Sequence, residues 1–264
     1  MIPKWLLEIR GRVPSRVAIL LGVIPIVVAI ILWWALTNGE REFRTVPYTI
    51  LPSPRETLSK IPELFAADKK LFTSIGLSLK RIGLGYLLAL AISLPLGILM
   101  GAFGTFRAIF TPSVTASGYL PIATLVPLTI AWFGIHEEQK IMFLALAFGI
   151  YLLPTVIGAI DSVPDIYLKT ASTLGASRFD LVFRVLVPVA LPGIWQGMRL
   201  AFGVGWTYLV LTEVVVREGG LGDLIEISRR RGPQEHVYLI IILITLIAWI
   251  ADILWVQIGH FLFP

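Results

Sequence analysis

Six apolar runs, each about as long as a bilayer core is thick, constrain this 264-residue chain more than any other feature. A transmembrane helix needs about 20 consecutive apolar residues. Val17–Leu36, Ile82–Gly101, Ala108–Ile135 and Ile141–Ile160 contain no charged residue. Val185–Thr212 is interrupted only by Arg199, and Val237–Ile258 only by Asp252. A soluble core would require six long helices that are apolar on every side. Composition argues the same way: 15% of residues are charged, where soluble domains have about a quarter. The chain therefore reads as an all-α polytopic membrane protein with about six transmembrane helices. They form a single transmembrane domain over residues 1–264.

Several function classes drop out. The first apolar run has 20 residues, longer than the roughly 7–15 of a signal-peptide core, and no small-x-small site comes after it. It reads as a retained first span. The chain has no cysteine, which excludes disulfides, thiol catalysis and thiolate metal sites. His136, His236 and His260 show no HExxH or paired-ligand spacing, so no metal site is expected and they read as interface-level polar residues. No GxxxxGK[ST], GxSxG or SxxK pattern occurs. The chain itself should be neither an ATPase nor another enzyme. Its net charge of +5 is spread over loops, which suits basic membrane flanks and not nucleic acid. Met1–Arg16, with Lys4, Arg10, Arg12 and Arg16, reads as a basic amphipathic lead lying on anionic headgroups.

Between the first two spans lies a polar stretch, Asn38–Arg81, in which Pro52 and Pro54 prevent a continuous helix. Ser53 or Ser59 caps the next helical segment. The third run contains Pro112, Gly118, Pro121 and Pro127 and must be kinked or broken. Breaks inside a membrane need protein or water around them, so Tyr119–Thr129 belongs near a pathway or a subunit contact. Gly97 with Gly101, and Gly193 with Gly197, have helix-packing spacing; neither pair alone argues for a dimer.

Arg199, Glu213 and Asp252 stand in or at the ends of spans. A charge at the bilayer centre costs about 2.5–3.5 kcal/mol on insertion scales. Each residue is an interface anchor, a pathway group or the partner of a residue on another helix. Arg199 and Glu213 are about 21 Å apart along one helix and cannot pair within it. The candidate pathway residues are Tyr119, Thr124, Thr129, Arg199, Thr207, Tyr208 and Glu213.

One polar segment between two apolar runs stands out: Tyr167–Pro192, YLKTASTLGASRFDLVFRVLVPVALP. It resembles the EAA loop of ABC-importer permeases, Glu-Ala-Ala, three residues, Gly, nine residues, Ile-x-Leu-Pro. Lys169-Thr170-Ala171 stand at the triplet, Gly175 at the Gly, and Val185, Val187 and Pro188 at the close. The triplet departs from the pattern, with Lys for Glu and Thr for the middle Ala. Leu51–Pro54, Leu125–Ile141, LPGIWQGMRLAFGVGW with the later LTEVV, and Gly219–Gly222 are similar to the nitrate/sulfonate/taurine/bicarbonate subclass of these permeases.

The resemblance implies a type I importer permease fold. The chain would be the substrate pathway of an ATP-driven importer, its cargo a small anion or organosulfonate-like compound. Partners would be a second permease copy, two cytoplasmic ABC ATPase subunits carrying ATP and Mg, and an extracytoplasmic binding protein. Residues 161–187 would be a cytoplasmic coupling loop. ATPase-coupling residues would be Asp165, Lys169, Thr170, Ala171, Leu174, Gly175, Ala176, Ser177, Phe179 and Pro188. Gly175 would permit a tight turn and Pro188 would open the next span. The location would be a prokaryotic plasma membrane, both termini cytoplasmic. The positive-inside count runs against that orientation, because Asn38–Arg81 and Arg217–Arg231 are rich in Lys and Arg. A pyrimidine-type vitamin precursor is a second cargo class. A self-sufficient secondary transporter or channel is the competing function; it usually has inverted repeats, and none is visible.

Overall fold

The computed structural model describes residues 13–40, 44–66 and 70–263, and every regular element among them is helical. Most of the basic lead at 1–16 lies outside the described residues. The first helix, α1 (Ser15–Thr37), stands almost clear of the rest, with only Thr37 buried. Its far end is tied by Trp33 Nε1, which donates to the Pro52 carbonyl at 2.8 Å. Two short helices come next, α2 (Pro54–Ser59) and α3 (Ile61–Leu64). Ser53 caps α2, accepting from the Glu56 N–H while the Glu56 carboxylate takes the Ser53 N–H. This is the reciprocal capping box, with Pro54 at the first helical position, where its missing N–H loses nothing. Of the two candidate serines, Ser53 is the cap and Ser59 lies inside the helix.

Long helices then build the bundle: α4 (Leu71–Ala102), α5 (Gly104–Ser117), α6 (Leu125–Phe133) and α7 (Glu137–Asp161). The expected second span began at Ile82, because Lys80 and Arg81 look like a boundary. The helix actually begins eleven residues earlier. Arg81 is fully buried and neutralised by carboxylates from other helices, so its charge does not end the span.

The expected third span is broken. α5 and α6, with a 3-10 turn at Ile122–Thr124 between them, bend by 87°. Pro121 has no N–H to extend α5, and its fixed φ sets the chain off in a new direction. Five helices are long and apolar enough to cross a membrane, or six if the bent pair is one span.

After α7 come α8 (Asp165–Thr173), α9 (Arg178–Asp180), a π-helical stretch at Leu181–Leu186, and α10 (Val187–Val215). The run from Arg178 to Val215 is one 38-residue helix. Pro188 stands in the first turn of α10, as expected, but that turn continues directly from the helix before it. The proline lies ten residues inside the continuous run, two residues after the π-helical stretch ends. α11 (Leu221–Arg231) and α12 (Gln234–Leu262) complete the chain.

α7 is the centre, packed between α4 and α10. Phe143, Leu144, Phe148 and Leu152 are buried to 1% exposure or less. Tyr86 sets its ring edge-on to Phe148 and to Phe202, each at 5.0 Å, and the Tyr86 phenol donates to the Met198 carbonyl at 2.9 Å. A Cβ added at Gly97 or Gly101 would fall 2.6 or 2.5 Å from Val156 or Ile160 of α7. At Gly197 it would meet Thr155 at 2.8 Å. These glycines let helices of the same chain approach closely.

Candidate functional site

Three places in the fold carry chemistry. The first is the turn between α8 and α9. Here α8 ends in a Schellman motif: the Ala176 N–H bonds the Ala171 carbonyl at 3.1 Å and the Gly175 N–H the Ser172 carbonyl at 3.0 Å. Gly175 takes φ +82°, a conformation an L residue resists. Ser177 at once caps the next helix, paired with Asp180 in a second capping box. α8 packs on the π-helical stretch at Leu181–Leu186, and Leu168 and Leu186 belong to one apolar cluster with Ile98 and Ala102 of α4, so one side of the segment is covered. Its other side is bare. No α8 residue is buried, and Ile166, Tyr167, Leu174, Phe179 and Phe183 are all exposed, Leu174 to 83%. These apolar side chains have no partner among the described residues of the chain to cover them. Nine of the ten expected coupling residues, Asp165, Lys169, Thr170, Ala171, Leu174, Gly175, Ala176, Ser177 and Phe179, lie together here. Pro188 does not: it is within the next helix.

The second place is at the opposite end of α10. Arg81 is fully buried and uses its whole donor fork. Nε donates to Glu137 at 2.9 Å, and Nη2 to the other Glu137 oxygen. Nη1 donates to Glu213 at 2.8 Å and to the Gly219 carbonyl at 2.7 Å. Nη2 also reaches the Glu218 carbonyl at 2.9 Å. Glu213, equally buried, accepts further from Ser78 Oγ at 2.8 Å and from the Gly222 N–H at 2.9 Å. Lys140, also buried, donates to Glu218 at 2.8 Å. The cluster joins α4, α7, α10 and the start of α11.

The chain must pass very close to this pair. A Cβ on Gly220, at φ +101°, would lie 2.3 Å from Glu213 Oε1 and 2.6 Å from Arg81 Nη1. Glu213 thus has its partner on another helix, one of the three roles open to it. Beyond, on α11, hydrogen bonds from Arg229 and then Arg230 pull the Glu226 carboxyl down to about 2.

The third place lies in the middle of the spans. Arg199 donates from Nε and Nη2 to the two Asp252 oxygens at 2.6 and 2.7 Å, joining α10 to α12. By helical rise the two residues sit about 3 and 6 Å from the midpoints of their helices. Arg199 borders a cavity of 460 Å³ with Trp195, Gln196, Trp255 and His260. Asp252→Asn alone leaves Arg199 charged at that depth, where the penalty is about 2.5–3.5 kcal/mol. It should lower the unfolding temperature in detergent, and Arg199→Met with Asp252→Leu should recover much of the loss. An Asp252→Asn protein as stable as wild type would mean the pair is hydrated and contributes little.

The remaining pathway candidates are scattered. Tyr119 is 84% exposed at the break, and Thr124, also exposed, donates to the Pro121 carbonyl at 2.7 Å. Thr129 is buried and accepts from Gln139 at 2.8 Å. Thr207 borders a separate apolar cleft with Trp206 and Thr245. Tyr208 Oη lies 3.1 Å from Tyr151 Oη. Sequence reasoning missed Arg81, Ser78, Glu137, Lys140 and Glu218. The available signal was a cation beside a long apolar run with unmatched carboxylates at the ends of two other runs. Among the described residues, no group of three or more His, Cys, Asp or Glu is arranged to hold a metal ion.

The chain and its fold have counterparts among known proteins. Residues 93–259 match the family model described as binding-protein-dependent transport system inner membrane component. The taurine transport system permease protein TauC of Escherichia coli (strain K12) is 29% identical over 251 residues, 93% of this chain and 90% of that one. The nitrate import permease protein NrtB of Leptolyngbya laminosa is 26% identical over 93% of this chain and 86% of its own length. The fold matches a solved inward-facing conformation of the MetNI methionine ABC transporter with a TM-score of 0.68 at 17% identity. That match covers 77% of this chain and 99% of the solved one.

Proposed function

We infer the function from one premise, that the chain belongs to the family of binding-protein-dependent transport system inner membrane components. Its role is the membrane-spanning permease subunit of an ATP-driven importer. Two copies form the pathway between them, in a prokaryotic plasma membrane with both termini cytoplasmic. Two ABC ATPase subunits, which hold ATP and Mg, bind the exposed α8–α9 turn from the cytoplasm. A binding protein delivers cargo to the other face, and ATP-driven closure of the ATPases switches the cavity from outward to inward access. The cargo is a small anion; relatives named for taurine, nitrate and aliphatic sulfonates support that class.

The observation that carries the reading is the α8–α9 turn. It packs on the π-helical stretch at Leu181–Leu186 on one side and presents uncovered apolar side chains on the other. An exposed Leu and Phe on an ordered helix–turn–helix fit a cleft in a partner protein better than they fit water. The test is to purify the chain from its native membrane in mild detergent and to identify what accompanies it by mass spectrometry. A co-purifying ATPase with a phosphate-binding loop is expected. Recovery of the permease alone after cross-linking would overturn the reading in favour of a self-sufficient transporter or channel.

A further inference from the structure

We infer that the hydroxyl pair of Tyr151 and Tyr208 is where a small oxyanion touches this chain near mid-membrane, held by neutral O–H donors and not by fixed positive charge. The inference rests on the importer reading and specifies its pathway.

The two phenols belong to α7 and α10 and their oxygens are 3.1 Å apart. One O–H donates to the other oxygen, which leaves one proton without a partner in the pair. Tyr151 is 38% exposed, so this proton is not sealed in the bundle. Against lipid it would have nothing to bond, which is costly in hydrocarbon. The face therefore looks onto water or cargo. The rings pack together: Tyr208 meets Phe143 edge-on at 6.4 Å, and the Tyr151 ring lies tilted to it at 6.2 Å.

Depth can be read from the inner ends of the helices. Arg107 of α5 is hydrogen-bonded to Asp161 of α7, which fixes the two helices in register. Tyr151 lies ten residues from Asp161, and Gly118 eleven from Arg107, so each is about 15 Å above that pair by helical rise. The break after α5 is thus at the height of the tyrosines.

The cations that stand among the spans are committed elsewhere. Arg199 is bound to Asp252, Arg81 to Glu137 and Glu213, and Lys140 to Glu218. Nine residues, two and a half turns, put Tyr208 on the opposite side of α10 from Arg199. An anion meeting only hydroxyl donors is held weakly enough to leave again, as a conducting site requires.

The chain has no native cysteine, so single thiols can be introduced directly. In the full complex, Tyr151→Cys and Tyr208→Cys should react with a water-soluble anionic methanethiosulfonate, whereas Ile24→Cys on α1 should react only after denaturation. Tyr151→Phe and Tyr208→Phe keep the rings and remove only the hydroxyls. Each should raise the KM for isotope-labelled taurine or nitrate uptake about tenfold, the scale of one hydrogen bond to a charged group. Thiols that react only after denaturation would overturn the proposal, and so would wild-type uptake by the Phe variants. Labelling reads water access whether or not an ATPase is attached. Failure of the importer reading, seen as uptake that needs no ATP, is therefore distinguishable from failure of this one, seen as dry thiols.

Discussion

Arg81→Met should abolish the folded bundle in detergent, or lower its unfolding temperature more than any other single exchange argued for this chain. The substitution leaves the Glu213 carboxylate fully buried with only Ser78 and the Gly222 N–H to hold it. Removing one member of a buried ion pair typically costs about 3–5 kcal/mol, because the other charge stays desolvated and unpaired. Here the loss also releases the Gly219 and Glu218 carbonyls, and with them the entry to α11. Arg81→Lys should rescue little, since three donors on a point charge cannot replace a planar fork contacting two carboxylates and two carbonyls. Glu213→Gln should be milder, because Glu137 still neutralises Arg81. Size-exclusion profiles and thermal unfolding of the detergent-solubilised variants check the order. Arg81→Met with wild-type stability would show that the cluster is hydrated in the membrane and does not pin the helices.

The same cluster shows where the sequence stops being legible. Apolar runs identify helices because lipid tolerates little else, and all six runs correspond to helical segments. The broken third run was legible too, since Pro121 acts locally through its missing N–H. Arg81 was not. A cation next to an apolar run looks like an interface until its partners are known, and Glu137 and Glu213 are 56 and 132 residues away in sequence. The same limit applies to Arg199. Its place within an apolar run was readable, but Asp252 became its partner only when α10 and α12 were set side by side. Pro188 was placed in the first turn of α10, but the continuity of that helix with the residues before it was not legible. A proline near the start of an apolar run suggests a helix start, yet the preceding polar residues Arg178–Asp180 are already helical and run through a π-helical stretch into α10. The α8–α9 turn was legible because its determinants are local: one glycine at positive φ and one serine cap.

Gly175→Asp should leave the protein inserted and folded but reduce ATP-driven uptake by well over tenfold. A Cβ at this position meets nothing within 4 Å, so no core contact is disturbed. The backbone holds φ +82°, which costs a non-glycine residue roughly 1–2 kcal/mol. The chain relieves that strain by opening the Schellman turn, because the bonds closing it are only those of Gly175 and Ala176. The new carboxylate also faces the C-terminal end of α8, where the helix dipole is negative. Both effects change the direction and charge of the patch formed by Leu174 and Phe179 without reaching the α4–α7–α10 core. Gly175→Ala separates them, since it strains the turn without adding charge and should fall between wild type and Gly175→Asp. Membrane yield, co-purification of the ATPase and uptake are measured together. Normal uptake with Gly175→Asp would mean that the turn is not the docking surface, whatever else binds the ATPase. Loss of uptake with the ATPase still attached would place the defect in transmission of its movement and not in its binding.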